Sequence, residues 1–243
     1  MKKKYLSAVI VLALLGSIQA QAGVLVGGTR VIFDGKKREA SISVKNEGTV
    51  PYVVQTWLDK GDDTVKADTP FVIVPPIFRL DPNKENLLRI MFSGQGVPED
   101  RESVYWLNVQ EIPPASELEN TLQIAMRSRI KMFYRPKNIQ GDPVKAATQL
   151  QWKIERDAAT GASSLVARND SAFHVNLVEA KLQSPAGNQE VAVSMVAPKT
   201  ESRFPLKEAA APSDAPRLTY KYINDYGGQS EPIVANGAIS GNK

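Results

Sequence analysis

The chain has 243 residues, 42% of them hydrophobic and 23% charged, with no cysteine and a single histidine, His174. An apolar share of that size excludes disorder over most of the length. The missing cysteines exclude a disulfide framework, a zinc-thiolate or iron–sulfur site, a thiol nucleophile and a lipoprotein anchor, and one histidine excludes a multi-histidine metal centre.

Met1-Lys2-Lys3-Lys4 is a positive start, Leu6 to Leu15 is an apolar run broken only by Ser7, and Ala20-Gln21-Ala22 offers small residues to a signal peptidase. This is the layout of a secretory leader, with an apolar run shorter than the roughly 20 residues a membrane span needs. Residues 1–22 are therefore expected to be a signal peptide cleaved after Ala22, in preference to a retained membrane anchor. The leader holds three lysines and no acid, so the formal charge of +4 falls to +1 in the mature chain. Nucleic-acid binders need a concentrated basic surface, and none is suggested.

Short β-rich runs follow, each ended by Gly, Pro, Asn or Asp: Thr29–Phe33, Ala40–Lys45, Tyr52–Leu58, Phe71–Val74, Leu87–Phe92, Val104–Val109 and Leu122–Tyr134. Ala40-Ser-Ile42-Ser-Val44 alternates as a strand with one buried face does. Arg135-Pro136-Lys137-Asn138 and Gly141-Asp142-Pro143 then interrupt the pattern, and two prolines there predict a stiff seam over Arg135–Ala146. A second series comprises Leu150–Ile154, Ser164–Ala167, His174–Leu182, Glu190–Val196, Arg203–Leu206, Leu218–Ile223 and Pro232–Val234. Helical periodicity is nowhere sustained. The expected fold is all-β: two immunoglobulin-like sandwiches, residues 23–140 and 141–243, set at an angle with a cleft between them.

No catalytic constellation stands out. Asp62-Asp63 and Glu99-Asp100 are adjacent acids, which on a strand point to opposite faces, and they read as loop charges. His174, in Phe173-His-Val-Asn-Leu177, reads as a structural side chain on a strand. Gly27-Gly28 lacks the spacing of a phosphate loop, and the sequon Asn169-Asp-Ser171 is short enough to occur by chance. No enzyme activity, cofactor, metal or small-molecule substrate is expected.

The stretch Val97-Pro-Glu-Asp100-Arg101-Glu102-Ser103-Val-Tyr-Trp106-Leu-Asn108-Val109-Gln-Glu-Ile112-Pro113 resembles the signature of the periplasmic pilus chaperones of the chaperone–usher pathway. Thr29-Arg30-Val-Ile-Phe33-Asp34-Gly35, Pro51-Tyr52 with Trp57, Ile130-Lys131-Met-Phe133-Tyr134-Arg135-Pro136 and Tyr222-Ile223-Asn224-Asp225-Tyr226-Gly227-Gly228 carry the likeness along the chain. The resemblance implies a periplasmic, non-enzymatic chaperone that captures fimbrial subunits, holds them folded and delivers them to an outer-membrane usher. It leaves open whether free molecules cover their sticky edges by pairing with each other. The rival reading is a secreted immunoglobulin-like adhesin or binding module.

Three groups of residues follow from the resemblance. Leu122, Ile124 and Met126 alternate on one face of a strand; periodicity alone suits an ordinary core strand, while the family lends the corresponding strand to a subunit lacking its own. Arg30 and Lys131 match the family's cleft cations that bind the subunit's terminal carboxylate. Glu102, Arg135 and Asp225 match charged positions that tie the domains together, and as exposed pairs they would each be worth under about 1 kcal/mol. Strict alternation places Lys131 opposite Leu122, Ile124 and Met126, so a twist or bulge is expected around Arg127–Arg129. The short, cysteine-free loop Pro113–Thr121 resembles the short-loop branch serving rod-like pili, and Val74-Pro75-Pro76 is where the family pattern carries a cis bond in some members.

Overall fold

A computed structural model describes residues 23–61, 68–115, 120–184, 187–207 and 216–235, together with the backbone of 240–241. The leader, Asp62-Asp63 and part of the Pro113–Thr121 loop lie outside the described residues.

Among the described residues nine strands build the first sandwich: β1 (Val24–Val26), β2 (Arg30–Asp34), β3 (Glu39–Asn46), β4 (Tyr52–Asp59), β5 (Phe71–Val74), β6 (Ile77–Leu80), β7 (Glu85–Phe92), β8 (Ser103–Ile112) and β9 (Arg127–Arg135). They form two sheets, ordered β1-β3-β7-β5 and β2-β9-β8-β4-β6. Alternate residues fill the space between: Val31 and Phe33 from β2, Ile42 and Val44 from β3, Leu88 and Ile90 from β7, Met132 and Tyr134 from β9. This is the period-2 burial a half-buried strand requires. Phe33, Phe71 and Tyr134 pack as tilted and edge-on rings, with centroids 5.4 to 5.7 Å apart. The Val74–Pro75 peptide bond is cis.

The chain changes sheets at its start. β1 pairs with β3, then Gly27 passes close over Ser43, where a Cβ would run into the serine hydroxyl, and β2 joins β9 in the facing sheet. The two short strands β1 and β2 thus divide one edge between two sheets. The β2–β9 pairing is parallel, with Arg30 opposite Lys131 and Asp34 opposite Arg135.

The seam carries a helix that sequence periodicity did not predict, α1 (Pro143–Thr148). Asp142 caps it by accepting from the backbone N–H groups of Val144 and Lys145, and Pro143 occupies the first turn, where its missing N–H costs nothing. Ala146 and Ala147 face inward, and the Tyr220 hydroxyl donates to the Ala147 carbonyl at 2.8 Å.

The second sandwich contains β10 (Gln151–Arg156), β11 (Ser163–Asn169), β12 (Val175–Ser184), β13 (Gly187–Glu190), β14 (Met195–Val196), β15 (Thr200–Pro205), β16 (Arg217–Tyr222), β17 (Ile233–Val234) and β18 (Ser240–Gly241). Its sheets run β15-β11-β10-β18 and β13-β12-β16-β17, with β14 on β12. Trp152, Ile154, Leu165, Leu182, Leu218 and Tyr220 form its core. The molecule is therefore two immunoglobulin-like β-sandwiches, and the connection between them carries β9 directly into α1.

Candidate functional site

β9 is bordered differently along its two sides. On one side the antiparallel ladder with β8 is continuous from Ser103↔Tyr134 to Gln110↔Arg127, and the Glu111 N–H extends it by donating to the Met126 carbonyl at 3.0 Å. On the other side β2 begins at Arg30, opposite Lys131, so that ladder ends there. The segment 121–126 runs on from β9 without entering a strand of its own. Its apolar side chains are open: Leu122 is 85% exposed, Ile124 66% and Met126 61%. Alternation alone allowed these three to face this domain's own core, and they do not.

Of the twist or bulge expected around Arg127–Arg129, the bulge is absent, because the β8–β9 register never shifts. Even-numbered residues keep one face throughout. Met132 and Tyr134 lie in the core, Ile130 is partly buried against it, and Leu122, Ile124 and Met126, of the same parity, lie exposed beyond its end. The odd-numbered face carries Arg127, Arg129 and Lys131. No bulge is needed, since the two faces serve different purposes along β9 and the open segment that leads into it.

That odd face packs on two tryptophans, with the Arg127 guanidinium 6.0 Å from the centroid of the Trp57 ring and the other two cations on Trp106. The Arg129 guanidinium lies 4.5 Å from the centroid of the Trp106 ring and the Lys131 ammonium 5.4 Å, so one indole orients both cations. Arg129 also donates to the Asp59 carboxylate at 2.8 Å, and Asn108 donates to its other oxygen at 2.7 Å. Asp59 is fully buried. Burial pushes its carboxyl up, but the bonds from Arg129, Asn108 and the Gly61 amide outweigh this and hold it below the usual carboxylate range. This cluster pins the strand just before it becomes the open segment.

Arg30 and Lys131 are Cα partners across the parallel ladder, so their side chains share the cleft-facing side. Each meets a neutral acceptor from the second domain. Lys131 Nζ donates to Asn176 Oδ1 at 2.9 Å, and an Arg30 Nη1 donates to the Ile223 carbonyl at 3.3 Å. Among the described residues neither makes an ion pair, and the buried Arg30 Nε has no hydrogen-bond partner. Burial lowers the pKa of both, aided at Lys131 by the charge of Arg30 and opposed at Arg30 by Asp225 and Glu102. Two partly desolvated cations side by side, one with an orphaned donor, make a site suited to an anion.

The nearby carboxylates are already committed. Arg135 donates through Nε to Glu102 at 2.8 Å and, in a two-pronged pair, to both Asp225 oxygens at 2.7 Å. Burial works against its charge, while the bonds to Asp225 and the pull of Glu102 outweigh it and raise its pKa. Glu102 is 3% exposed and also accepts from the His174 backbone N–H and contacts its Nδ1, each at 2.8 Å. The network therefore differs from the exposed pairs that the sequence suggested: its central carboxylate is buried, so removing one partner leaves an uncompensated charge. Arg135 belongs to the first domain and Asp225 to the second, so the network crosses the seam.

Sequence reasoning had singled out neither Asn176, the Ile223 carbonyl, Trp106 nor the Asp59–Arg129–Asn108 cluster. Trp106, Asn108 and Ile223 stand in the stretches that carry the resemblance but had no role assigned, and Asn176 shows only as a polar residue within Val-Asn-Leu. His174 is packed against Phe133 and Glu102, in keeping with its structural reading. Asn169 is 2% exposed and bonds the Phe173 carbonyl at 2.7 Å, which leaves the sequon inaccessible.

Comparison with known proteins agrees with this geometry. Residues 23–140 match the family described as "Pili and flagellar-assembly chaperone, PapD N-terminal domain", and residues 145–233 match "Pili assembly chaperone PapD, C-terminal domain". A probable fimbrial chaperone, LpfB of Escherichia coli O157:H7, is 37% identical over 240 residues, covering 97% of each chain. The crystal structure of the YadV chaperone superposes with a TM-score of 0.75 at 30% identity, over 88% of this chain and all of that one. A Salmonella enterica structure of the SafB chaperone with the SafA pilin gives 0.72 at 27% identity, over 87% of this chain and 95% of that one. The family is periplasmic and its role is folding and assembly, not catalysis, which displaces the adhesin reading. No helix among the described residues is long and apolar enough to cross a membrane. With both domain models matched in order and relatives covering nearly its whole length, the chain belongs to the pilus-assembly chaperones of the chaperone–usher pathway.

Proposed function

We propose that this chaperone caps pilus subunits by lending them the segment Leu122–Met126 and anchoring their terminal carboxylate on Arg30 and Lys131. The observation that carries this reading is the conjunction of an open apolar edge with two unpaired cations at its inner end. An incomplete immunoglobulin-like subunit has a hydrophobic groove and unsatisfied backbone groups, both aggregation hazards. The lent segment supplies main-chain hydrogen bonds along its length and large side chains at alternate positions. Burying three such side chains contributes about 5–9 kcal/mol before the costs of association, at about 1.5–3 kcal/mol each. Each charge-assisted bond at the anchor adds about 1.5–3 kcal/mol.

The anchor also sets register. A slip of one residue would turn the wrong face of the strand to the groove, and a carboxylate fixed at Lys131 prevents it. Glu102, Arg135 and Asp225 hold the two domains at the angle that keeps the cleft open. Release requires no nucleotide: at the usher an incoming subunit's own extension replaces the lent strand by competing better for the same groove. The short, cysteine-free sequence of the Pro113–Thr121 loop supports the short-loop branch and a rod-like pilus.

The leader is cleaved after Ala22. The backbone N–H of Val24 donates to the Glu111 carboxylate at 2.7 Å, and a Cβ at residue 23 would collide with that carboxylate, so the new terminus suits Gly23. Co-expression with a candidate subunit and co-purification from the periplasm tests the whole reading. Wild type retains the subunit in a one-to-one complex, and Arg30→Ala or Lys131→Ala loses it. Retention by both variants would overturn the anchor.

A further inference from the structure

Beyond Arg30 the cleft deepens into a cavity of about 180 Å³ between the two domains. Its apolar wall comes from α1, through Pro143, Val144 and Ala147, and from Val175, Tyr222 and Phe133. Its carboxylates and imidazole are already satisfied internally. Glu102 and Asp225 are held by Arg135, and the His174 ring is held by Glu102. Arg30 lines it directly, while Lys131 connects to it only through Asn176, its hydrogen-bond acceptor, which lines it. A cavity of about 150 Å³ with apolar walls holds one benzene ring. The space beside the anchor therefore has the size of a single six-membered ring.

We propose that this cavity is a side-chain subsite that reads the last residue of the captured subunit and favours an aromatic or large aliphatic one. The inference rests on the carboxylate-anchor reading. A chain that runs along residues 122–130 and stops with its carboxylate on Arg30 and Lys131 has its final side chain as the group nearest the cavity. A terminal Lys or Arg would bring a second unpaired cation beside Arg30, with Glu102 and Asp225 already held by Arg135, and is rejected. A terminal Gly leaves the apolar wall wet. Val144 is 51% exposed, so an apolar occupant would cover surface that the free protein leaves in water.

The test uses the full mature chain and short alternating Thr-Val peptides ending in Phe, Gly, Glu or Lys, each as free acid and as amide, titrated calorimetrically. The free-acid Phe peptide binds about tenfold or more tighter than the Gly peptide, the gain expected from burying one ring. The Lys peptide binds weaker than the Gly peptide. Val144→Trp, which fills the cavity from an exposed helix position, brings the Phe-to-Gly ratio close to one while the free acids still outbind the amides. Equal binding of Phe and Gly peptides, or tightest binding of the Glu peptide, overturns the subsite and leaves the anchor standing. Free acids that bind no better than their amides overturn the anchor itself, and the subsite with it.

Discussion

Truncating the open edge separates a lent strand from an ordinary one. In Ile124→Ala the free chaperone loses a side chain that is already 66% exposed. Little burial is forfeited, and a surface change of this kind stays within about 0.5 kcal/mol, or roughly 1–2 °C in Tm for a chain of this size. In the complex the account is different. Full burial of an isoleucine is worth about 1.5–3 kcal/mol, so covering the remaining two-thirds contributes about 1–2 kcal/mol, which is roughly a 5- to 30-fold weaker Kd on truncation. Leu122→Ala, at 85% exposure, costs at least as much. Ile124→Asp adds a buried, unpaired charge and abolishes capture. Thermal unfolding of the purified variants and titration with subunit measure the two effects independently. Unchanged capture by Ile124→Asp, or a Tm loss above about 5 °C in Ile124→Ala, would refute the lent-strand mechanism.

The remaining predictions concern the charged groups. Lys131→Met removes a cation whose pKa burial and Arg30 lower, so the free protein melts no earlier than wild type while subunit capture is lost. A lowered lysine binds fewer protons folded than unfolded, so in wild type stability rises as pH climbs from the lowered value to the ordinary one, and a pH series of melting curves on both proteins reads this difference. Arg135→Leu strands the buried Glu102 and costs about 3–5 kcal/mol, roughly 6–20 °C in Tm, and small-angle scattering shows a changed interdomain angle; a shift under about 2 °C would mean the network is solvated. Asp59 sits below the usual carboxylate range, so its contribution is present above the pKa of an unfolded aspartate and fades as pH falls through the lower folded value. Asp59→Asn therefore shallows the acid limb of the stability curve, checked by urea unfolding across that range.

Much of this was legible in the sequence because strands announce themselves locally. The alternation in β3 and the aromatic-rich run of β8 state both element and buried face, and the two strand series separated by prolines state two sandwiches. What escaped detection depends on distant residues. β1 is three residues long, and its membership of the sheet opposite β2 is decided by pairing with β3. α1 is six residues, too short for a periodic stripe, although Asp142-Pro143 is a readable helix start. Of the expected twist or bulge the bulge is absent: β9 packs its even-numbered residues on the core while the segment leading into it leaves its own exposed, and only the extent of the facing sheet distinguishes Met132 from Met126. The burial of Glu102 depends on Arg135, His174 and Ala172 converging from elsewhere, which no spacing reveals.

Backbone amide hydrogen exchange over residues 122–130, with and without bound subunit, tests the central claim most directly. Met126 turns its carbonyl toward β8, so by strand alternation Ala125 and Arg129 turn their amides to the opposite side, beyond the point where β2 ends. These two amides exchange rapidly in the free chaperone and become protected in the complex, while the Met132 amide stays protected in both. Rapid exchange at Ala125 and Arg129 in the complex would contradict strand lending, whatever the affinity.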